Sequence, residues 1–112
     1  MRIAVASSNG EEVDLHFGKA SSLYIYEFDE KSEELKFVEQ RTVEINEEKK
    51  HQNPKIIKTI SDCKVAICAQ FGFKAQIFAE DAGIKLILGE GTVEESLNKY
   101  VDHVKFMNNI KI

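Results

Sequence analysis

The sequence predicts an α/β fold, a mixed five-stranded sheet with helices on both faces. Three observations carry this reading. The second half alternates short apolar runs with amphipathic segments, the pattern of parallel strands joined by right-handed crossovers. The first half holds two extended runs around a charged turn, the pattern of an antiparallel hairpin. The chain has 112 residues, 43% hydrophobic and 30% charged, which suits one globular domain spanning residues 1–112.

The elements follow in order. Residues 2–7 read as a short buried strand through Ile3, Ala4, Val5 and Ala6. Ser8-Asn9-Gly10 signals a turn, and residues 8–22 form a long irregular stretch of the kind that often carries function. Residues 23–28 make a second strand. The charged run 29–34 turns the chain into a third, residues 35–45, with Leu35, Phe37, Thr42 and Val43 as buried candidates. Residues 46–52 are a polar linker. Asn53 as cap and Pro54 as first helical residue open a helix to Ser61, with Ile56, Ile57 and Ile60 on one face. Residues 64–69 are a strand covered on both faces.

After the loop 70–73, a helix over 74–82 places Ala75, Phe78, Ala79 and Ala82 on one stripe, and Gly83 closes it in the left-handed conformation. Residues 84–88 form another buried strand. Gly89-Glu90-Gly91 is a tight loop, and Thr92 with Glu95 makes a capping box. The last helix carries Val93, Leu97, Tyr100, Val101 and Val104 on one stripe and ends near Phe106; the tail to Ile112 is poorly specified. The first, fourth and fifth strands run the same way. In such sheets ligands bind beyond the carboxyl ends of the strands. Three loops leave that edge: 8–22, 70–73 and 89–92.

Charge and composition exclude several functions. Residues 27–50 hold nine acids and five bases, which is the whole net charge of −4; the remainder is neutral. With no basic stripe, nucleic-acid binding is not expected. No run reaches the ~20 apolar residues of a membrane span, and the first ten residues have too short an apolar run for a signal peptide. The chain is therefore read as cytoplasmic.

His16, before Gly18, is the histidine best placed for a site, as a metal ligand or proton carrier. The alternative is a loop histidine bonded to backbone. His51 in the linker and His103 on the last helix read as solvated surface residues. Cys68 lies at the candidate edge, either as a core thiol or as a cluster ligand. Cys63 lies at the far end of the same strand, roughly 16 Å away, so the two thiols do not clamp one ion. The run Gly89-Glu90-Gly91-Thr92 before a helix is able to hold an anion on free amides. It lacks the lysine and length of a nucleotide loop, so no nucleotide is expected. It is equally an ordinary strand-to-helix turn. The strands offer no convergent carboxylates for phosphoryl transfer.

Val13-Asp14-Leu15-His16-Phe17-Gly18-Lys19-Ala20, followed by an aromatic strand, resembles the dinitrogenase iron–molybdenum cofactor family. The later residues extend the likeness: Asp62-Cys63 before a strand, Gly72, Ala82-Gly83-Ile84, and Gly91-Thr92-Val93-Glu94-Glu95-Ser96-Leu97. It covers about residues 1–104. The resemblance implies a three-layer α/β/α, ribonuclease-H-like fold with strand order 3-2-1-4-5 and strand 2 antiparallel. It also implies a small binding module without catalysis, with His16 as the cofactor contact. Cys63 matches a cysteine found in some nitrogenase-associated members. The loop 70–73 departs from the family, where smaller residues surround the glycine.

The resulting expectation is a non-catalytic carrier of an iron–sulfur or iron–molybdenum-type cluster. It exchanges its cluster with donor and acceptor proteins. His16, with Cys68, would contact metal or sulfide. Amides near Asn9, Gly18, Gly72 and Gly91 would face the negative cluster, and Phe17 and Phe71 would exclude water. The alternative is a metal-free regulatory or scaffold domain that binds a protein through its acidic hairpin.

Overall fold

The computed structural model describes residues 1–46 and 52–110. Five strands form one sheet: β1 (Arg2–Ala6), β2 (Ser22–Asp29), β3 (Glu34–Thr42), β4 (Val65–Cys68) and β5 (Lys85–Leu88). Their order is β3-β2-β1-β4-β5. β2 is antiparallel to both neighbours, while β1, β4 and β5 run parallel. The order is the one the family resemblance implied, and the directions are those expected from the hairpin and the crossovers. Three helices complete the chain: α1 (Asn53–Thr59), α2 (Phe73–Asp81) and α3 (Val93–Asn109).

The alternation of β1 divides the core. Ala4 and Ala6 face one side with Phe17, Leu23, Ile25, Ile56, Ile60, Cys68 and Ala79. Ile3 and Val5 face the other with Phe28, Ile67, Val93, Leu97 and Val101. Thus α1 and α2 cover one face and α3 the other, giving the three layers. Successive strand residues point to opposite faces, so both layers were encoded by one short run.

Several local expectations are corrected. The hairpin was expected to bury Phe37 and Thr42. Instead Phe37 is 57% exposed and Thr42 exposed. A single helix on that face does not reach the edge strand, and the β2–β3 register shifts between Ile25 and Tyr26, leaving Val38 unpaired as a bulge. Phe37 instead packs against the Tyr26 ring, centroids 5.4 Å apart. α1 begins one residue earlier than expected, with Gln52 as its cap and Asn53 inside the helix. On α2 only Ala75 and Ala79 of the expected stripe are buried; Phe78 is exposed, as is Ala82. β5 is an edge strand, so Lys85 and Leu88 are exposed where a buried strand was expected. α3 runs one turn beyond Phe106. Gly83 does close α2 with φ +79°. The expectations for His51 and for the rest of linker residues 47–51, and the last two residues of the tail, fall outside the described residues.

Arg41 ties the remote end together. Its guanidinium donates to Asp62, Glu39 and the Thr59 carbonyl, and Arg2 donates to the same Asp62 carboxylate. These bonds hold Asp62 well below the usual carboxylate range.

Candidate functional site

Parallel β1 and β4 end side by side, and the loop after β1 makes an excursion over the carboxyl ends of β4 and β5 before it returns to β2 on the other side of β1. It is stitched to both neighbouring loops. The Ala69 N–H donates to the Leu15 carbonyl (3.0 Å) and the Phe17 N–H to the Gln70 carbonyl (2.8 Å). These bonds set His16 against Gln70 as an isolated parallel bridge. Further back, the Val13 N–H donates to the Gly91 carbonyl (3.0 Å) and the Val93 N–H to the Glu11 carbonyl (2.8 Å). The loop is therefore a fixed strap with two halves.

His16 starts a single 3-10 turn, Phe17–Lys19. Its Nδ1 accepts the Gly18 N–H at 3.0 Å. The backbone bond of the alternative reading is thus present, and it engages one nitrogen only. An accepting Nδ1 carries no proton, so the neutral ring carries it on Nε2. The imidazole is exposed, and its free end is a donor. Ligating a metal through Nε2 requires moving that proton and giving up the Gly18 bond. Donating a hydrogen bond requires neither.

Phe17 was expected to shield a ligand. It is instead 0% exposed, packed in the α1/α2 core. Its ring anchors the turn from below and holds His16 outward. Gly18 was expected to offer its amide; that N–H is spent on His16. The residue also does not depend on glycine for space, because a Cβ there would meet Asn53 Oδ1 and His16 Nδ1 at an ordinary 3.5 Å.

Cys68 stands at the expected edge but is closed to it. It is 0% exposed on the α1/α2 side, with Sγ 3.8 Å from the Ile87 carbonyl. Burial pushes its thiol up to about 12, far from the thiolate a metal prefers. Cys63 lies before β4 at the other end, 3% exposed, its thiol also up to about 12 from burial and from Asp62.

The four expected amide sites differ in how many of their donors the chain itself uses. Near Asn9, the Gly10 N–H goes to Ser7 Oγ (2.9 Å), and the Glu11 and Glu12 N–H groups go to Asn9 Oδ1 (2.9 and 3.0 Å). Asp14 closes the same turn by accepting from the Ser8 amide and hydroxyl. Near Gly91, Val93 is used by Glu11, and Thr92 Oγ1 caps α3 through the Glu95 N–H at 3.0 Å. Gly91 itself has φ +80°, and a Cβ would come within 2.8 Å of the Glu95 carboxylate. At Gly72 the cap of α2 has no side chain, and the first intrahelical bond is Gln76 N–H to the Gly72 carbonyl. The amides of Phe73, Lys74 and Ala75 therefore lack intrahelical partners. A Cβ on Gly72 would touch nothing within 4 Å.

The structure thus brings His16, Phe71 and Gly72 together across the His16–Gln70 bridge. It leaves Asn9 and Gly91 on the other half of the strap, among exposed Glu11, Glu12, Glu90, Glu94 and Glu95. Lys19 and Lys74 flank the first half. Phe71 is half-buried against the core, and Phe73 is 76% exposed. Two residues absent from the sequence-based site enter it. Phe73 read as part of a loop; its exposure depends on where α2 docks. Asn53 read as a cap; its Oδ1 lies behind Gly18, buried, with no hydrogen-bond partner among the described residues. No signal in the sequence pairs Asn53 with Gly18. Among the described residues no three histidine, cysteine or carboxylate side chains converge on a metal position, and no helix is long and apolar enough to cross a membrane.

The family model described as dinitrogenase iron–molybdenum cofactor matches residues 1–103. A search of curated proteins gave no match. Among solved structures, the protein PH0822 superposes with a TM-score of 0.69 at 18% identity, over 92% of each chain. The apo orange protein of Desulfovibrio gigas has a TM-score of 0.68 at 21% identity, over 91% of this chain and 88% of that one. The mj0327 protein of Methanocaldococcus jannaschii has 0.64 at 13%, over 92% and 89%. At these identities the superpositions establish the shared fold.

Proposed function

From the premise that this chain belongs to the dinitrogenase iron–molybdenum cofactor family, we propose that it is a cytoplasmic, non-catalytic carrier of an anionic metal–sulfide cluster. The cluster, of iron–sulfur or iron–molybdenum type, is cargo passed between donor and acceptor proteins. One observation carries the reading. His16 Nδ1 is locked to Gly18, which leaves Nε2–H exposed beside the uncapped N-terminus of α2. A ring donor and free amides on one ledge favour a negative, acceptor-rich surface such as sulfide. Lys19 and Lys74 add positive charge, and Phe71 and Phe73 supply apolar cover. The carboxylates around Gly91 repel the same cargo, so the site is the His16–Gly72 half. Cys68 stays in the core. Holding a cluster through outer-sphere donors suits transient carriage, because no metal–protein bond must break at transfer.

The test is anaerobic incubation with a synthetic [4Fe–4S] thiolate cluster, gel filtration and metal analysis. His16→Asn keeps an oxygen to accept the Gly18 N–H but removes Nε2–H. It should lower retention about ten-fold or more, as expected for losing one hydrogen bond to a charged group, at unchanged melting temperature. Equal retention by His16→Asn removes His16 from the site. No retention by the unmodified protein refutes carriage.

A further inference from the structure

The sheet has two free edges, and they are finished differently. β3 carries the bulge at Val38 and charges at Glu34, Lys36, Glu39 and Arg41, features that discourage pairing with another chain. β5 has no bulge, and its one charge, Lys85, stands at its first position. Its register with β4 is unbroken from Lys85 to Leu88. The Lys85 and Gly89 N–H groups donate to the Lys64 and Cys68 carbonyls of the β4 segment, both at 2.9 Å. Alternate strand residues present their peptide groups to opposite edges, so Leu86 and Leu88 turn theirs away from β4, outward.

Beside this edge lies a groove of about 1020 Å³ between β5 and α3. Ile87 and Tyr100 give it an apolar middle. Lys85, Lys99 and His103 line it without an ion-pair partner among the described residues. Glu90 and Glu95 close the opposite end. A strand added to β5 would send every second side chain into this groove. Main-chain bonds would supply affinity and the groove would supply selection.

We infer that the β5 edge takes an extended segment of a partner protein as a sixth strand, with an apolar side chain against Ile87 and Tyr100 and acidic side chains toward Lys85, Lys99 and His103. This surface is separate from the His16 ledge, so it stands or falls independently of cluster carriage.

The probe is a short, end-blocked, fluorescein-labelled peptide in which threonine alternates with valine, glutamate and glutamate. Fluorescence anisotropy should show saturable binding to the cluster-free protein, with amide shift changes in β5 and along α3. The double variant Lys99→Glu/His103→Glu, whose side chains are exposed, should bind about ten-fold more weakly or worse with unchanged circular dichroism. N-methylating alternate amides should abolish binding for one of the two possible sets. Three results would each overturn the inference: no saturation up to millimolar peptide, equal binding of a lysine-for-glutamate peptide, or equal binding of both N-methylated sets. Shift changes at β3 in place of β5 would do the same.

Discussion

Replacing Phe17 by alanine separates the two roles this residue has been given. If the ring lined an open ligand site, its loss would alter binding and leave stability nearly intact. The structure places it at 0% exposure among Ala4, Ala6, Leu23 and Ile56. Truncating a buried phenylalanine to alanine costs about 3–5 kcal/mol, the transfer term plus the cavity left behind. For 112 residues, the usual unfolding entropy per residue makes each kcal/mol worth roughly 4 °C in melting temperature. Phe17→Ala should therefore lower Tm by about 12–20 °C in a thermal scan followed by circular dichroism. Phe17→Leu, which fills most of the volume, should lose about 1–1.5 kcal/mol, or roughly 4–6 °C, and serves if the alanine variant does not fold. His16→Asn on the same turn should leave Tm within about 2 °C, since the cap to Gly18 is kept. A fall of less than about 4 °C for Phe17→Ala would refute the anchoring of the strap by this ring.

Three further expectations follow from the same contacts. Cys63 and Cys68 keep their protons in the fold, at about 12 against an ordinary 9.0. Stability should therefore fall as pH rises from 9 toward 12, because only the unfolded chain ionises there. Both thiols should resist alkylation at neutral pH until guanidinium is added, and rapid labelling of Cys68 in the native protein would overturn its burial. Asp62 is held low by Arg41 and Arg2, so its contribution is present above the ordinary carboxylate range and is lost as pH falls below it. Asp62→Asn should flatten the acid limb of a stability–pH curve while costing at most about 1 kcal/mol at pH 7, since these groups face solvent; an unchanged acid limb counts against the network. Neutralising Glu30, Glu33 and Glu34 together should leave cluster retention within two-fold at physiological salt, where screening acts over about 8 Å. A several-fold gain would place the hairpin over the site.

The sequence by itself determined the sheet and its layers. The alternation in Ile3-Ala4-Val5-Ala6, the crossovers of the second half and the hairpin around residues 29–34 are local signals with fixed periods. They survive packing because every neighbouring contact agrees with them. It also singled out His16, Phe71 and Gly72, which share the carboxyl edge by topology. Tertiary structure alone decided what those residues do. Whether Phe17 faces ligand or core depends on the side from which the strap crosses the end of β4, and the Phe17–Gln70 bond fixes that. Cys68 could not be judged from its position at the strand end, because only the packing over that end of β4 decides whether the thiol is sealed from the edge, and both faces of β4 are buried. The amides near Asn9, Gly18 and Gly91 looked free because glycine and asparagine signal turns. Ser7 Oγ, Asn9 Oδ1 and His16 Nδ1 take the first two sets within their own turns, and Glu11 reaches the Val93 amide from a loop that meets it only in three dimensions; a donor already satisfied by its own chain has nothing left to offer a ligand.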